Sequence, residues 1–244
     1  MITLTEHRSR FGAITILKRE QAGSLIYLQA GCFQSEADAD GVSLVPYIHA
    51  LFGLLRQARS RTVLMIGCGG GTLATMLAKA GCTLTVVDID PQAFLLARRY
   101  FGLPESVTCR VADGGEYLLS EENTFDAVVL DAFMKGYMPE HLQSPAFFSL
   151  LRRRLTPSGS VFVNIHVEQD SDKSADRVAA AMAAVWPAVR ILDRVGHAWR
   201  NAIVMAGDVL RLEEPSLEMR PAADADAIAA ELDEMQFRPC EAGR

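Results

Sequence analysis

Long hydrophobic runs are missing from this chain. Half of its residues are hydrophobic, yet no apolar stretch approaches the ~20 residues of a membrane span, so no membrane role is expected. Met1–Arg10 is polar and holds no apolar core of the signal-peptide kind, which points to the cytoplasm. Paired cysteines are missing too. Cys32, Cys68, Cys82, Cys109 and Cys240 are odd in number and include no Cys-x-x-Cys pair. That argues against a disulfide framework and a zinc site, and leaves reduced thiols with no metal expected. No basic patch interleaves with aromatics, so nucleic acid is not an expected partner. There is no internal repeat.

The net charge of −6 is unevenly placed. Residues 211–244 hold nine acids against four bases, and the rest of the chain is nearly balanced. The acidity therefore belongs to the C-terminal tail and says little about a substrate. A chain of 244 residues can bury one sizeable core and carry a small extra module.

Residues 62–90 organise what is present. Val63–Ile66 is a short apolar run, and glycines follow at Gly67, Gly69, Gly70 and Gly71. Leu73, Met76, Leu77 and Ala80 then recur at helical spacing, Gly81 stops the helix, and Leu84–Val87 ends on Asp88. This is one βαβ unit. Its glycines let a ligand approach the backbone, and the helix beginning near Thr72 points N–H groups at that ligand. Asp88, about 20 residues after the first glycine, is placed to accept from ribose hydroxyls. The dinucleotide fingerprint Gly-x-Gly-x-x-Gly fails, because its sixth position is Thr72. Gly-x-Gly-x-Gly is met by Gly67, Gly69 and Gly71, the form found in class I S-adenosylmethionine enzymes. Cys68, inside the loop, reads as a small residue in a tight turn.

Around this unit the chain divides into a small N-terminal antiparallel β module over 1–45, a Rossmann-like domain over 46–210, and an acidic tail with a short helix over 211–244. The module is read from strands within 11–34, followed by a polar loop with Glu36, Asp38, Asp40 and Gly41. Pro46 opens a helix to about Ala58. Strands and helices then alternate, with Thr156–Gly159 as a turn, and two neighbouring strands close the domain. The fold class is α/β, a doubly wound sheet of about seven strands whose last is antiparallel. Ligands of such sheets lie outside the carboxyl ends of the strands, at the switch point. The glycine loop, Asp88, Asp113 and Asp131 all fall there.

These segments resemble the spermidine synthase (polyamine aminopropyltransferase) family, and more closely its divergent spermidine-synthase-like branch, over about residues 11–206. The resemblance rests on Gln34-Ser35 with the acidic loop, Val63 to Thr72, Val87 to Pro91, Ala112 to Tyr117, Asp126 to Asp131 and Leu155 to Gly159. Asp131-Ala-Phe with Pro139-Glu-His-Leu142 and Phe147 is typical of the divergent branch. The resemblance implies that Gln34 contacts the nucleoside, that Asp88 binds the ribose hydroxyls, and that Asp113, followed by Gly114, accepts from the adenine amino group. It implies that Asp131 is the first aspartate of the catalytic motif. A homodimer would be ordinary for the family.

Two positions depart from the family. Gly70 replaces the aspartate that helps hold the aminopropyl ammonium of decarboxylated S-adenosylmethionine; its loss suits a ligand bearing a carboxylate. Met134 replaces the last catalytic aspartate, and Lys135 beside it would repel a polycationic amine. A substitute base could come from Asp131, Glu36, Asp38, Asp40, His49 or His166, and Tyr137 could line the acceptor pocket. The first reading is methyl transfer from S-adenosylmethionine to a small-molecule acceptor. The alternatives are aminopropyl transfer with a substitute base and a non-catalytic nucleoside-binding scaffold.

Overall fold

Apolar residues that alternate in and out along each strand build two layers of core on one sheet. Val63 and Met65 face one layer while Leu64 and Ile66 face the other, as a period of two requires. The computed structural model describes residues 1–240. Its N-terminal module is a four-stranded antiparallel meander of β1 (Ile2–His7), β2 (Ile14–Lys18), β3 (Leu25–Gln29) and β4 (Cys32–Ala37). Helix α1 (Pro46–Gln57) leads into β5 (Thr62–Ile66), α2 (Thr72–Lys79), β6 (Thr83–Asp88), α3 (Pro91–Tyr100), β7 (Thr108–Val111), α4 (Gly114–Ser120) and β8 (Phe125–Leu130). A short 3-10 turn, Glu140–Gln143, precedes α5 (Pro145–Arg152) and the long β9 (Leu155–Val167). The chain closes with α6 (Ser174–Ala183), β10 (Val189–Asp193), β11 (Arg200–Gly207), α7 (Ala225–Asp233) and β12 (Gln236–Arg238).

The large sheet has the order β12-β10-β11-β9-β8-β5-β6-β7. β7, β6, β5, β8 and β9 are parallel, and β11 runs antiparallel to both neighbours. The direction of travel reverses between β5 and β8, which makes the crevice beyond their carboxyl ends the switch point. Three of the helices start on a side chain that satisfies their free N–H groups. Asp90 caps α3 through Gln92, with Pro91 at its first turn. Asp113 caps α4 through Gly115 and Glu116. Ser144 caps α5 through Phe147. Ile14, Ile16 and Tyr27 of the small module pack with Leu96 and Phe101, which fixes that module beside α3. Among the described residues no helix is long and apolar enough to cross a membrane.

Three expectations change. The meander has four strands, and Glu36 belongs to β4 instead of a loop, because Arg19 and Ser24 across the sheet hold its carboxylate. Thr156–Gly159 continues β9 through an irregularity in its pairing with β8. The sheet has eight strands, since β12 pairs with β10. Three residues are too few to show a period. β12 is fastened by its side chains: Phe237 lies under the Arg190 guanidinium at 3.4 Å, and Arg238 bonds Asp176 and Asp193.

Candidate active site

The glycine loop leaves β5 in left-handed conformations that favour glycine, with φ of +103° at Gly67, +51° at Gly69 and +69° at Gly71. Much of its hydrogen bonding is spent within the protein. Gly67 donates to the Val87 carbonyl, Cys68 to the Asp88 carboxylate, Gly70 to Ser35 Oγ and Gly71 to the Cys68 carbonyl. A Cβ on Gly70 would meet Ser35 and Phe101 at 3.0–3.2 Å. Position 70 therefore faces the N-terminal module, and Ser35 fills the space an aspartate there would enter.

Asp88 ends β6 with both oxygens engaged at 2.8 Å, by the N–H groups of Cys68 and Asp90. Burial pushes its pKa up to about 6, against those two hydrogen bonds. Asp113 ends the turn after β7. Its Oδ1 accepts from Gly115 and Glu116, and its Oδ2 lies 2.9 Å from His141 Nε2. Burial acts to raise this carboxyl, but the bonds from His141 and the helix N-terminus outweigh it and hold the pKa below the ordinary value. Gly114 lets α4 sit against β5, where an added Cβ would meet Ile66 at 2.5 Å.

Asp131 follows β8 and stands at the meeting point of two cavities. The first is bounded by Gly67, Asp88, Asp113 and the apolar Ile66, Val87, Ile89 and Leu142. The second is bounded by Tyr47, Asn164, His166, Trp199 and Asn201. Gln34, Gly67, Cys68, Gly69, Asp131 and Phe133 line both. Asp131 Oδ1 accepts from Asn164 Nδ2 at 2.7 Å, and Oδ2 from the Tyr47 hydroxyl at 3.1 Å. Burial raises its pKa against those two donors. Asn164 is held in turn by Asn201 Nδ2 at 3.0 Å.

The sequence-derived residues Gln34, Gly67, Gly69, Asp88, Asp113, Gly114 and Asp131 thus converge on one crevice. Gly71 sits behind it, against Ala97 and Leu103. Of the other substitute bases, Glu36, Asp38, Asp40 and His49 stand away from the crevice. Glu36 is tied to Arg19 and Ser24, and Asp38 accepts from Asp40, Val42 and Ala222 N–H groups. Asp40 carries Lys79 on its carbonyl, away from both cavities. His49 bonds the Ser43 carbonyl at 2.7 Å inside the core, and burial lowers its pKa. His166 does reach the second cavity. Tyr137 stands outside both, bordering a smaller recess beyond Phe133. Met134 and Lys135 line the first cavity on a tight turn closed by Met134 and Tyr137. Cys68 lies in both cavities, and burial pushes its thiol well above the ordinary range. Sequence reasoning missed Tyr47, Ser35, Asn164 and Asn201 as site residues. Asn164 had a signal: it interrupts the apolar run Val161–Ile165 and is 1 % exposed, and buried polar groups need partners.

The crevice has the make-up of a small-molecule site: glycines between two strand ends, the Asp88 carboxylate at the end of β6, and apolar side chains along the remainder. Among the described residues no three histidines, cysteines or acids gather as a metal ion would need.

A family model described as a methyltransferase domain matches residues 63–159. The chain is 27% identical to a polyamine aminopropyltransferase of Neisseria meningitidis over 235 residues, covering 93% of this chain and 88% of the relative. It is 32% identical to a polyamine aminopropyltransferase of Vibrio vulnificus over 127 residues, covering 49% of this chain and 42% of the relative. In its first curated matches the chain spans less than two thirds of the relatives' length. A probable spermidine synthase from Corynebacterium glutamicum superposes with a TM-score of 0.78 at 20% identity, covering 97% of this chain and 90% of that one. At that identity the likeness is one of fold.

Proposed function

The chain belongs to the spermidine synthase-like family with a class I methyltransferase domain, and from that premise we propose an S-adenosylmethionine-dependent enzyme that transfers a methyl group to a small-molecule acceptor. The observation that carries the reading is Met134 and Lys135 on the wall of the first cavity, where the resembled synthases hold a second catalytic aspartate. A cofactor bearing a carboxylate meets an ammonium there. Ser35 occupies the space beside Gly70, so no acid stands at that position to repel it.

When bound, S-adenosylmethionine supplies an electrophilic methyl on a cationic sulfur, a leaving group that needs no acid. The protein's part is binding, orientation and one proton. Asp88 would accept from the ribose hydroxyls and Asp113 from the adenine amino group, with Gln34 and the backbone of Gly67 and Gly69 beside them. Asp131, at the junction of the cavities, would take the acceptor's proton. Its raised pKa makes it a stronger base than an ordinary carboxylate, and Tyr47 and Asn164 hold its two oxygens in place. Methyl transfer would release one proton from the acceptor, and Asp131 would hold it.

A second reading, aminopropyl transfer from decarboxylated S-adenosylmethionine to a polyamine, is favoured by the name of the Neisseria relative, whose match covers 93% of this chain. It uses the same Asp131 without a carboxylate at position 134. Calorimetric titration with S-adenosylmethionine and its decarboxylated form, side by side, separates the two. Tighter binding of the intact form supports methyl transfer, and tighter binding of the decarboxylated form supports polyamine synthesis. Binding of either without turnover of any acceptor makes the protein a scaffold. Binding of neither overturns the roles given to Asp88 and Asp113.

A further inference from the structure

The second cavity has a volume of about 400 Å³, within the roughly 300–1,000 Å³ common for small-molecule sites. Its floor is polar and ordered: Asp131, with Tyr47 and Asn164 on its two oxygens and Asn201 behind Asn164. Its walls are aromatic. Phe133 flanks Asp131, Trp199 is 69 % exposed at the mouth, and Phe33, on the same lining, is 50 % exposed. Trp199 is held there by structure. Its backbone is left-handed at φ +56°, its N–H donates to the Glu168 carbonyl, and its ring lies 5.9 Å from that of His166. A large aromatic ring left in solvent at the rim of a cavity is a contact surface waiting for apolar area.

Charge decides what fits. Among the described residues Asp131 is the sole carboxylate lining this cavity. A polyamine presents ammonium groups at both ends and needs an anion for each. Glu168 and Asp172 line the adjoining recess, which Phe133, His166 and Arg177 also border. Asp172 is already committed to the Ser174 N–H and hydroxyl and to the Glu168 N–H. Within this cavity a second ammonium would meet amides and rings, not an anion.

We propose that the acceptor is a monoamine on an aromatic body, an arylalkylamine, with its nitrogen at Asp131 and its ring between Phe133 and Trp199. The inference rests on the transferase reading and names the acceptor class of that site. Tyr47, Phe133 and Trp199 line the cavity with aromatic rings, which suit an amine and its aromatic body alike. Asp131 supplies the single charge that an amine needs and an alcohol does not.

The test is calorimetric titration of the whole chain with 2-phenylethylamine, 1,4-diaminobutane and 2-phenylethanol, each with and without saturating S-adenosylhomocysteine. The expected result is 2-phenylethylamine binding at least tenfold tighter than either of the others. Trp199→Ala should weaken that amine fivefold or more and leave S-adenosylhomocysteine affinity unchanged, with Trp199→Phe restoring most of the loss. Diamine binding as tight as the arylalkylamine, alcohol binding as tight as the amine, or an unchanged affinity in Trp199→Ala each overturns the inference. Failure of S-adenosylhomocysteine to bind overturns the transferase reading instead. The titration without nucleoside still decides the amine preference, so the two failures are distinguishable.

Discussion

The backbone of Gly67 runs so close to that of Asp131 that a Cβ on the glycine would lie 2.0 Å from the aspartate's carbonyl oxygen. The glycine loop after β5 and the acid after β8 are therefore one packed unit across the switch point, and the spacing between them cannot absorb a methyl group.

Gly67→Ala should destabilise the protein by more than about 2 kcal/mol, from overpacking against main chain at a backbone angle that alanine avoids. Gly23→Ala, in open space at φ +68°, should cost only about 1 kcal/mol. Urea unfolding midpoints compare the two, and equal midpoints would refute the packing argument.

Asp88→Asn, whose amide can accept only one of the two N–H groups that the carboxylate holds, should weaken nucleoside binding by about tenfold or more, the worth of a hydrogen bond to a charged group. The wild-type pKa lies near 6 in the fold against an ordinary 3.8. Between those values the native state holds more protons than the unfolded chain, so wild-type stability falls as pH rises from about 4 to 6 and levels off above. The asparagine variant should lose that slope in thermal melts run across the window. An unchanged slope would remove Asp88 as its source.

Asp131→Asn should lower kcat by about a hundredfold or more, the usual worth of a positioned base. Asn164→Leu tests positioning separately. It removes a hydrogen bond that holds the Asp131 pKa down, so the acid limb of the pH–rate profile should move to higher pH along with a fall in kcat. A lower kcat with an unmoved limb would assign Asn164 a packing role only.

His141→Ala should tighten nucleoside binding two- to fivefold, roughly the net worth of one hydrogen bond. His141 holds the Asp113 oxygen that an adenine amino group would seek, and it comes from the 3-10 turn before α5. Weaker binding in the variant would instead make His141 part of the cofactor's own contact surface.

Much of the scaffold was legible in the chain. Val63–Ile66, the glycines and Asp88 announce a βαβ unit because strand period, turn chemistry and helix period are all short-range properties. The acids that end successive strands, Asp88, Asp113 and Asp131, fall on one edge because parallel strands point the same way. What the chain could not show is who holds those acids. Tyr47 reaches Asp131 from 84 residues away, Asn164 from 33, and Asn201 reaches Asn164 from 37. No local pattern ties such positions together.

The sequence by itself determined the fold class, the glycine loop and the acids at the strand ends, because those follow from spacing along one strand or one turn. Tertiary structure alone decided that Ser35 closes the space at Gly70, that Glu36, Asp38 and His49 are spent on the scaffold, and that Asp131 stands where two cavities meet. Each of those is a matter of which distant surfaces pack together, and burial and hydrogen-bond partners are set only when they do.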